Sequence, residues 1–209
     1  MIEWQAPLAE PIADLIKLAT EDLPGWPMPQ REAQMAQLIL DTRPNIVVEL
    51  GVYGGRSLIP QSLALKYNGF GHIYGIDAWD AETVAKNAAL GEDPITQKQL
   101  NIAYTACLDR IKELDLVRWA TLLPWDSHEE TEGFGNIDIL NIDAGHSDQS
   151  SCRDVEVWLP RVRRGGFIWF DDVQWPSVKK ALGMIEQHCE IESDQGLYRL
   201  YRKKRLNGC

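Results

Sequence analysis

A chain of 209 residues, 44% hydrophobic and 25% charged, has the composition of an ordinary globular protein and is long enough for one large core. Its formal net charge of −10 excludes a broad electrostatic footprint for nucleic acid, and no apolar run approaches the length of a membrane span. The start Met1-Ile2-Glu3-Trp4-Gln5 lacks the features of a signal peptide, and Cys107, Cys152, Cys189 and Cys209 show neither C-x-x-C pairing nor zinc-ligand spacing, so a reducing cytoplasm is the expected setting.

In chain order, Pro11 to Thr20 reads as a helix, followed by a Pro- and Gly-rich loop, Leu23 to Pro29. A second helix runs from Arg31 to about Asp41, with Met35, Leu38 and Ile39 on one face, and Pro44 ends the pattern. Strands and helices then alternate: strand Ile46–Leu50, a glycine turn, helix Ser57–Lys66, and strand Gly71–Ile76. Ala81 to Glu113 is helical in composition but broken near Gly91 and Pro94. Strands Ala120–Leu123 and Ile137–Ile142, helix Ser151–Leu159, strand Gly166–Phe170 and helix Pro176–His188 follow. A closing hairpin joins Cys189–Glu192 to Leu197–Tyr201. This alternation predicts an α/β fold, a mostly parallel sheet of seven strands with helices on both faces and an antiparallel C-terminal hairpin. Residues 1–40 are expected to form a helical cap or lid, 41–203 the main domain, and 204–209 a tail. The basic cluster Arg202-Lys203-Lys204-Arg205 is expected to be solvated.

The turn after the first strand is Gly51-Val52-Tyr53-Gly54-Gly55-Arg56-Ser57. Its spacing is neither G-x-G-x-x-G nor a Walker loop, so it is not a standard phosphate cradle. A ligand with a carboxylate and an amine suits it better, with Glu49 available to orient the amine. Asp77 ends the second strand, where an acid can accept both hydroxyls of a ribose, or simply close a turn.

Two acidic clusters end the fourth and fifth strands: Asp143-Ala144-Gly145-His146 and Asp171-Asp172. Ligands of open α/β sheets bind at the carboxyl ends of strands. Acids that converge there repel one another unless a cation or proton lies between them, and oxygen ligation suits Mg²⁺ or a related ion. A histidine beside them is a candidate base. The bland alternative is that these acids cap turns and helices. His72 and His128 have no comparable setting and are read as surface residues, Cys152 and Cys189 as buried thiols. Trp26, Trp79, Trp125 and Trp175 fall in loops where substrates bind, and the Pro-rich loop with Trp26 is either a lid or a connector. Trp4, Trp119, Trp158 and Trp169 are read as packing residues.

The run Val48 to Ser57 resembles motif I of the class I S-adenosylmethionine-dependent methyltransferases. Its Glu-Leu-Gly-x-Tyr-x-Gly-x-Ser form is similar to the metal-dependent O-methyltransferases of the catechol type. Asp143-x-x-His146 and Gly165-Gly166 with Asp171-Asp172 are more similar to the macrocin-type sugar O-methyltransferases. The resemblance covers roughly residues 30 to 200. It implies that Gly51, Tyr53, Gly54 and Ser57, with Glu49, line the methionine end of the cofactor and that Asp77 holds the ribose. Trp125, Asp126 and Ser127 then wrap the adenine. Asp143 borders both cofactor and acceptor, and Asp143, Asp171 and Asp172 ligate a divalent ion. His146 falls where catechol-type enzymes carry a lysine base, and Asp172 where they carry asparagine, which turns the reading from catechols toward sugars.

The implied reaction is methylation of a hydroxyl on a small acceptor, assisted by Mg²⁺ or another divalent cation that lowers the hydroxyl pKa, with His146 and Asp143 as catalytic groups. The expected partner is a small hydroxylated molecule, with no nucleic acid or membrane, and a homo-oligomer is compatible with the sequence. The rival readings are an NAD-dependent oxidoreductase, opposed by the missing G-x-G-x-x-G, a catalytically silent binding module, and, more distantly, a metal-dependent hydrolase.

Overall fold

A computed structural model of the protein describes residues 10–129 and 133–205, with side chains from residue 13 onward. Trp4 and Cys209 lie outside the described residues. The elements are α1 Glu10–Thr20, α2 Pro29–Thr42, β1 Ile46–Leu50, α3 Leu58–Asn68, β2 His72–Ile76, α4 Ala81–Asn87, α5 Gln97–Glu113, β3 Ala120–Leu123, β4 Ile137–Ile142, α6 Asp148–Trp158, β5 Val162–Asp171, α7 Lys179–His188, β6 Cys189–Asp194 and β7 Tyr198–Lys203. Short 3-10 turns at Leu159–Arg161 and Pro176–Val178 precede β5 and α7.

The strands form one sheet in the order β3-β2-β1-β4-β5-β7-β6. The first five are parallel, while β7 pairs antiparallel with both β5 and β6. The order reverses between β1 and β4, which is where open α/β sheets offer a crevice. Because side chains alternate across a strand, neighbours on β1 serve opposite cores. Val47 joins Ile139 and Phe167 on the face covered by α1, α2, α3 and α5, while Val48 joins Leu140 and Ile168 on the face covered by α6 and α7. Every residue of β4 is buried, the polar Asp138 and Asn141 included, which explains its nearly wholly apolar reading.

Local chemistry sets the helix starts. Thr96 and Gln99 form a reciprocal capping box on α5, and Ser147 caps α6 by accepting from Ser150 N at 3.1 Å. Pro29 opens α2. The expected break near Gly91 and Pro94 separates α4 from α5. Helices α1 and α2 share the core of α3, so the described part of the expected cap is packed into the body of the fold. No helix among the described residues is long and apolar enough to cross a membrane.

Two surface readings change, while the reading of Cys152 and Cys189 as buried thiols agrees with the structure. The basic cluster is not free in solvent: Lys203 Nζ donates to the carbonyls of Leu159 (2.8 Å) and Val162 (2.7 Å), and Lys204 Nζ to those of Glu186 and Gln187 at the end of α7. Carbonyls left over at a helix end favour a cation there. His72 bridges β2 to β3 through Arg118 O and Thr121 Oγ1. Cys107, Cys152 and Cys189 are buried free thiols.

Candidate active site

Register brings the site together. Leu50 pairs with both Ile76 and Ile142, and Ile142 with Phe170. Gly51, Asp77, Asp143 and Asp171 therefore leave four neighbouring strands at one level. Gly51 sits at φ 80°, and a Cβ there would overlap the carbonyl of Asp143, so only glycine lets the β1 and β4 turns approach this closely. Above this edge lies a cavity of about 770 Å³, within the usual range for a small-molecule site.

At one end the cavity is lined by Gly51, Tyr53, Gly54, Ser57 and Asp77. Tyr53 adopts φ 47°, a strained conformation for a residue with a side chain. Asp77 holds this turn: its Oδ2 accepts from Val52 N (2.9 Å) and Tyr53 N (2.8 Å), and its Oδ1 from Trp79 N (2.8 Å). Burial raises the Asp77 pKa against the pull of those amides. Glu49 lies beneath the turn and outside the cavity wall. It is fully buried, accepting from Ser57 Oγ and Gln61 Nε2 at 2.7 Å each, while Asn141 donates to Gln61 Oε1 at 2.8 Å. Burial pushes the Glu49 carboxyl up to about 7, against the hydrogen bond from Ser57.

Asp126 and Ser127 line the cavity beyond Asp77, whereas Trp125 packs against the core on the α6 face. The segment is fastened from below. Ser127 Oγ donates to the wholly buried Asp154 at 2.6 Å, and Trp158 Nε1 to Ser127 O at 2.8 Å. His128, read from sequence as a surface residue, is half-buried and stands 3.2 Å from Asp154 and 3.5 Å from Asp126, so its hydrogen bond to Asp154 raises its pKa.

The other end holds the acids. His146 lies between two carboxylates, with Nδ1 3.1 Å from Glu92 and Nε2 3.1 Å from Asp172. Burial opposes a charged imidazole, but these bonds and the nearby Asp143 outweigh it and push His146 up to about 10. His146 therefore carries a proton at neutral pH in this arrangement. Asp172 takes φ 54°, another strained residue at the rim. Trp175 stacks on His146, with ring centroids 5.7 Å apart and planes 16° from parallel.

Asp143 and Asp171 have a partner that the sequence did not reveal. Arg31 Nη1 donates to Asp143 Oδ2 at 3.1 Å and to Asp171 Oδ2. Burial raises the pKa of both acids, while the guanidinium opposes the rise. The three acids thus do not form one oxygen cage. The donors that converge are one atom each from Asp143, His146 and Asp172, all within 4.8 Å of one another. Two carboxylates and an imidazole are not the oxygen-only set that favours Mg²⁺, and each of the three is already bonded, Asp143 to Arg31 and the others to each other. As placed, these residues do not fit a three-carboxylate metal site.

Trp26 from the Pro-rich loop lines the cavity, is 70% exposed, and tilts on Tyr53 at 5.6 Å. Trp79 is a core residue, edge-on to Tyr104, with its Nε1 donating to Tyr53 O at 2.9 Å. Trp158 and Trp169 are buried, as packing residues should be. Arg31 and Glu92 are the site residues that sequence reasoning missed. Arg31 did leave a signal: it sits four residues before Met35 and eight before Ile39, a charge in line with a buried stripe.

Comparison with known proteins agrees with this geometry. A family model described as "Methyltransferase domain" matches residues 48–173. The O-methyltransferase NovP superposes with a TM-score of 0.71 at 15% identity, over 94% of this chain and 98% of NovP. The methyltransferase PaMTH1 of Podospora anserina gives 0.66 at 12% identity, over 96% and 90%. An O-methyltransferase from Bacillus cereus gives 0.58 at 16% identity, over 96% and 94%. No curated protein matches. With more than half its length matched by the family model, and with the Rossmann-like class I fold that its motifs implied, the chain belongs to the methyltransferase-domain family.

Proposed function

We propose that this methyltransferase takes its methyl group from S-adenosylmethionine and delivers it to a hydroxyl oxygen of a small polyhydroxylated acceptor, a sugar or glycosylated metabolite. The observation that carries the reading is one continuous cavity. Its Gly51–Ser57 turn, Asp77, Asp126 and Ser127 suit a nucleoside with an amino-acid tail, and its far end presents Asp143, His146 and Asp172. Two of the similar structures, PaMTH1 and the Bacillus cereus enzyme, are described with S-adenosylhomocysteine bound, and NovP and the latter are named O-methyltransferases. The Asp-x-x-His pattern and the flat faces of Trp26 and Trp175 support a sugar-bearing acceptor.

In the transfer, the acceptor oxygen bonds to the methyl carbon as the C–S bond breaks, and its electron pair returns to sulfur. The hydroxyl proton leaves toward the protein. We assign it to the Asp172–His146–Glu92 chain beside Asp143: Asp172 takes the proton and, as its charge is lost, the His146 imidazolium releases its Nδ1 proton to Glu92, so the imidazole relays charge between carboxylates rather than acting as a free base. Alignment of oxygen, carbon and sulfur supplies much of the rate.

The test is transfer of label from methyl-labelled S-adenosylmethionine to a panel of sugars, glycosides and phenols. His146→Ala should lower turnover by about 100-fold or more while cofactor affinity survives. Unchanged turnover in that variant removes His146 from the mechanism. Label in no hydroxylated acceptor, but in amines or thiols, refutes the oxygen assignment.

A further inference from the structure

Arg31 is an unusual residue to find at the centre of this cavity. It belongs to the first turn of α2, and one of its nitrogens reaches two acids that follow it by 112 and 140 residues. Its side chain is 9% exposed and that of Asp171 only 3%. The turn that carries it is pinned. Pro29 opens the helix, the neighbouring Glu32 is buried and pairs with Arg56 at 3.2 Å, and Arg56 also donates to the carbonyls of Thr20 (2.8 Å) and Leu23 (2.9 Å). Arg31 is held in place by the packing of α2 and by a second ion pair, not merely attracted by loose charge.

Its position has a chemical consequence. Asp143 and Asp171 end adjacent strands and cannot both be ionised there without a positive charge between them. A guanidinium cannot give up its proton, so its charge is permanent. A divalent ion shared by the same two acids would have to enter beside that charge and compete for the same oxygens, with only partial screening in a buried site. A metal-binding acid cluster and a fixed guanidinium bonded to two of its members are alternatives.

We propose that Arg31 is the built-in cation of this site. It neutralises and positions Asp143 and Asp171 where the family resemblance assigns a divalent ion, so that methyl transfer proceeds without metal. This inference rests on the methyltransferase reading. Arg31 is here a positioning residue, acting on the acceptor end through Asp143.

The experiment is Mn²⁺ binding to the full chain, read by electron paramagnetic resonance, for wild type, Asp143→Asn, Arg31→Met, Arg31→Lys and the double variant Arg31→Met/Asp143→Asn. Each protein is also titrated with S-adenosylmethionine. The wild type and Arg31→Lys, which both keep a cation, should show no Mn²⁺ site tighter than about 1 mM. Arg31→Met should gain one at least ~10-fold tighter, and the double variant should lose it. Arg31→Gln replaces Arg31→Met if the latter does not fold. A wild-type Mn²⁺ site abolished by Asp143→Asn overturns the proposal, as does a folded, charge-free variant that gains no site. Failure of all proteins to bind S-adenosylmethionine refutes the methyltransferase reading instead and leaves the Mn²⁺ comparison intact.

Discussion

The imidazole of His146 lies almost parallel to the indole of Trp175, 16° apart with centroids at 5.7 Å, while both of its nitrogens face carboxylates. A charged ring over an indole is favourable and fixes orientation. Trp175 also lines the cavity, so it presents an aromatic wall to whatever meets His146. Trp175→Ala should raise the acceptor KM by about 10-fold, with a smaller change in kcat. Cofactor affinity should stay the same, because Trp175 stacks on His146 among the acids. Steady-state kinetics with each substrate varied separates these effects, and a loss confined to cofactor affinity would contradict the assignment.

Gly51 allows two strand ends to meet. A side chain there would need both a left-handed backbone at φ 80° and space already taken by the Asp143 carbonyl. The backbone penalty alone is roughly 1–2 kcal/mol. Gly51→Ala should therefore destabilise the fold by more than that in urea titration and weaken cofactor binding in parallel. Wild-type stability would show that the two turns separate easily.

Glu49 gives a pH dependence of defined sign. Its folded pKa is raised to about 7, from an ordinary 4.5, by burial. Below the lower value both states are protonated and there is no cost. As pH rises toward 7 the unfolded chain ionises first, so stability falls, and above 7 the full penalty of about 3 kcal/mol remains. Glu49→Gln removes this slope, so its stability relative to wild type should improve between pH 5 and pH 8. Urea midpoints across that range measure it, and parallel curves would show that Glu49 does not titrate there.

His128 has the opposite sign. Its hydrogen bond to Asp154 raises its pKa above 6.5. The pair thus stabilises the fold fully below the unfolded value, and this is lost as pH rises through the folded one. His128→Ala should cost ~1 kcal/mol at pH 6 and less at alkaline pH. Because His128 braces Asp126 and Ser127, cofactor affinity should fall as well. Equal loss at both extremes of pH would mean that packing, not charge, is the contribution of His128.

The strands were legible because β1, β4 and the second half of β5 are buried on both faces and so read as nearly wholly apolar runs. The glycine turn, Asp77, Asp143 and Asp171 were legible for a related reason: in a parallel sheet the residues after each strand share one edge, whatever the loops do. The partners of those residues were not legible. Arg31 meets Asp143 and Asp171 from a distant helix, and Glu92 reaches His146 from the break between α4 and α5, where no periodicity guides the eye. Trp125 and Asp126 differ by one position yet serve different surfaces, one facing the core and the other the cavity. Glu49 belongs to the motif but lies under it, since its side chain points from β1 toward Ser57 and Gln61. Sequence spacing gives the edge of the sheet, while side-chain direction and long-range pairing decide which residues at that edge face the ligand.

The most direct test of this account is a calorimetric titration of the full chain with S-adenosylmethionine and, separately, with NAD. The account predicts saturable binding of S-adenosylmethionine at one site per chain, weakened when Asp77 is replaced by alanine, and no binding of NAD. Binding of NAD with no response to S-adenosylmethionine would contradict it and return the cavity to the oxidoreductase reading.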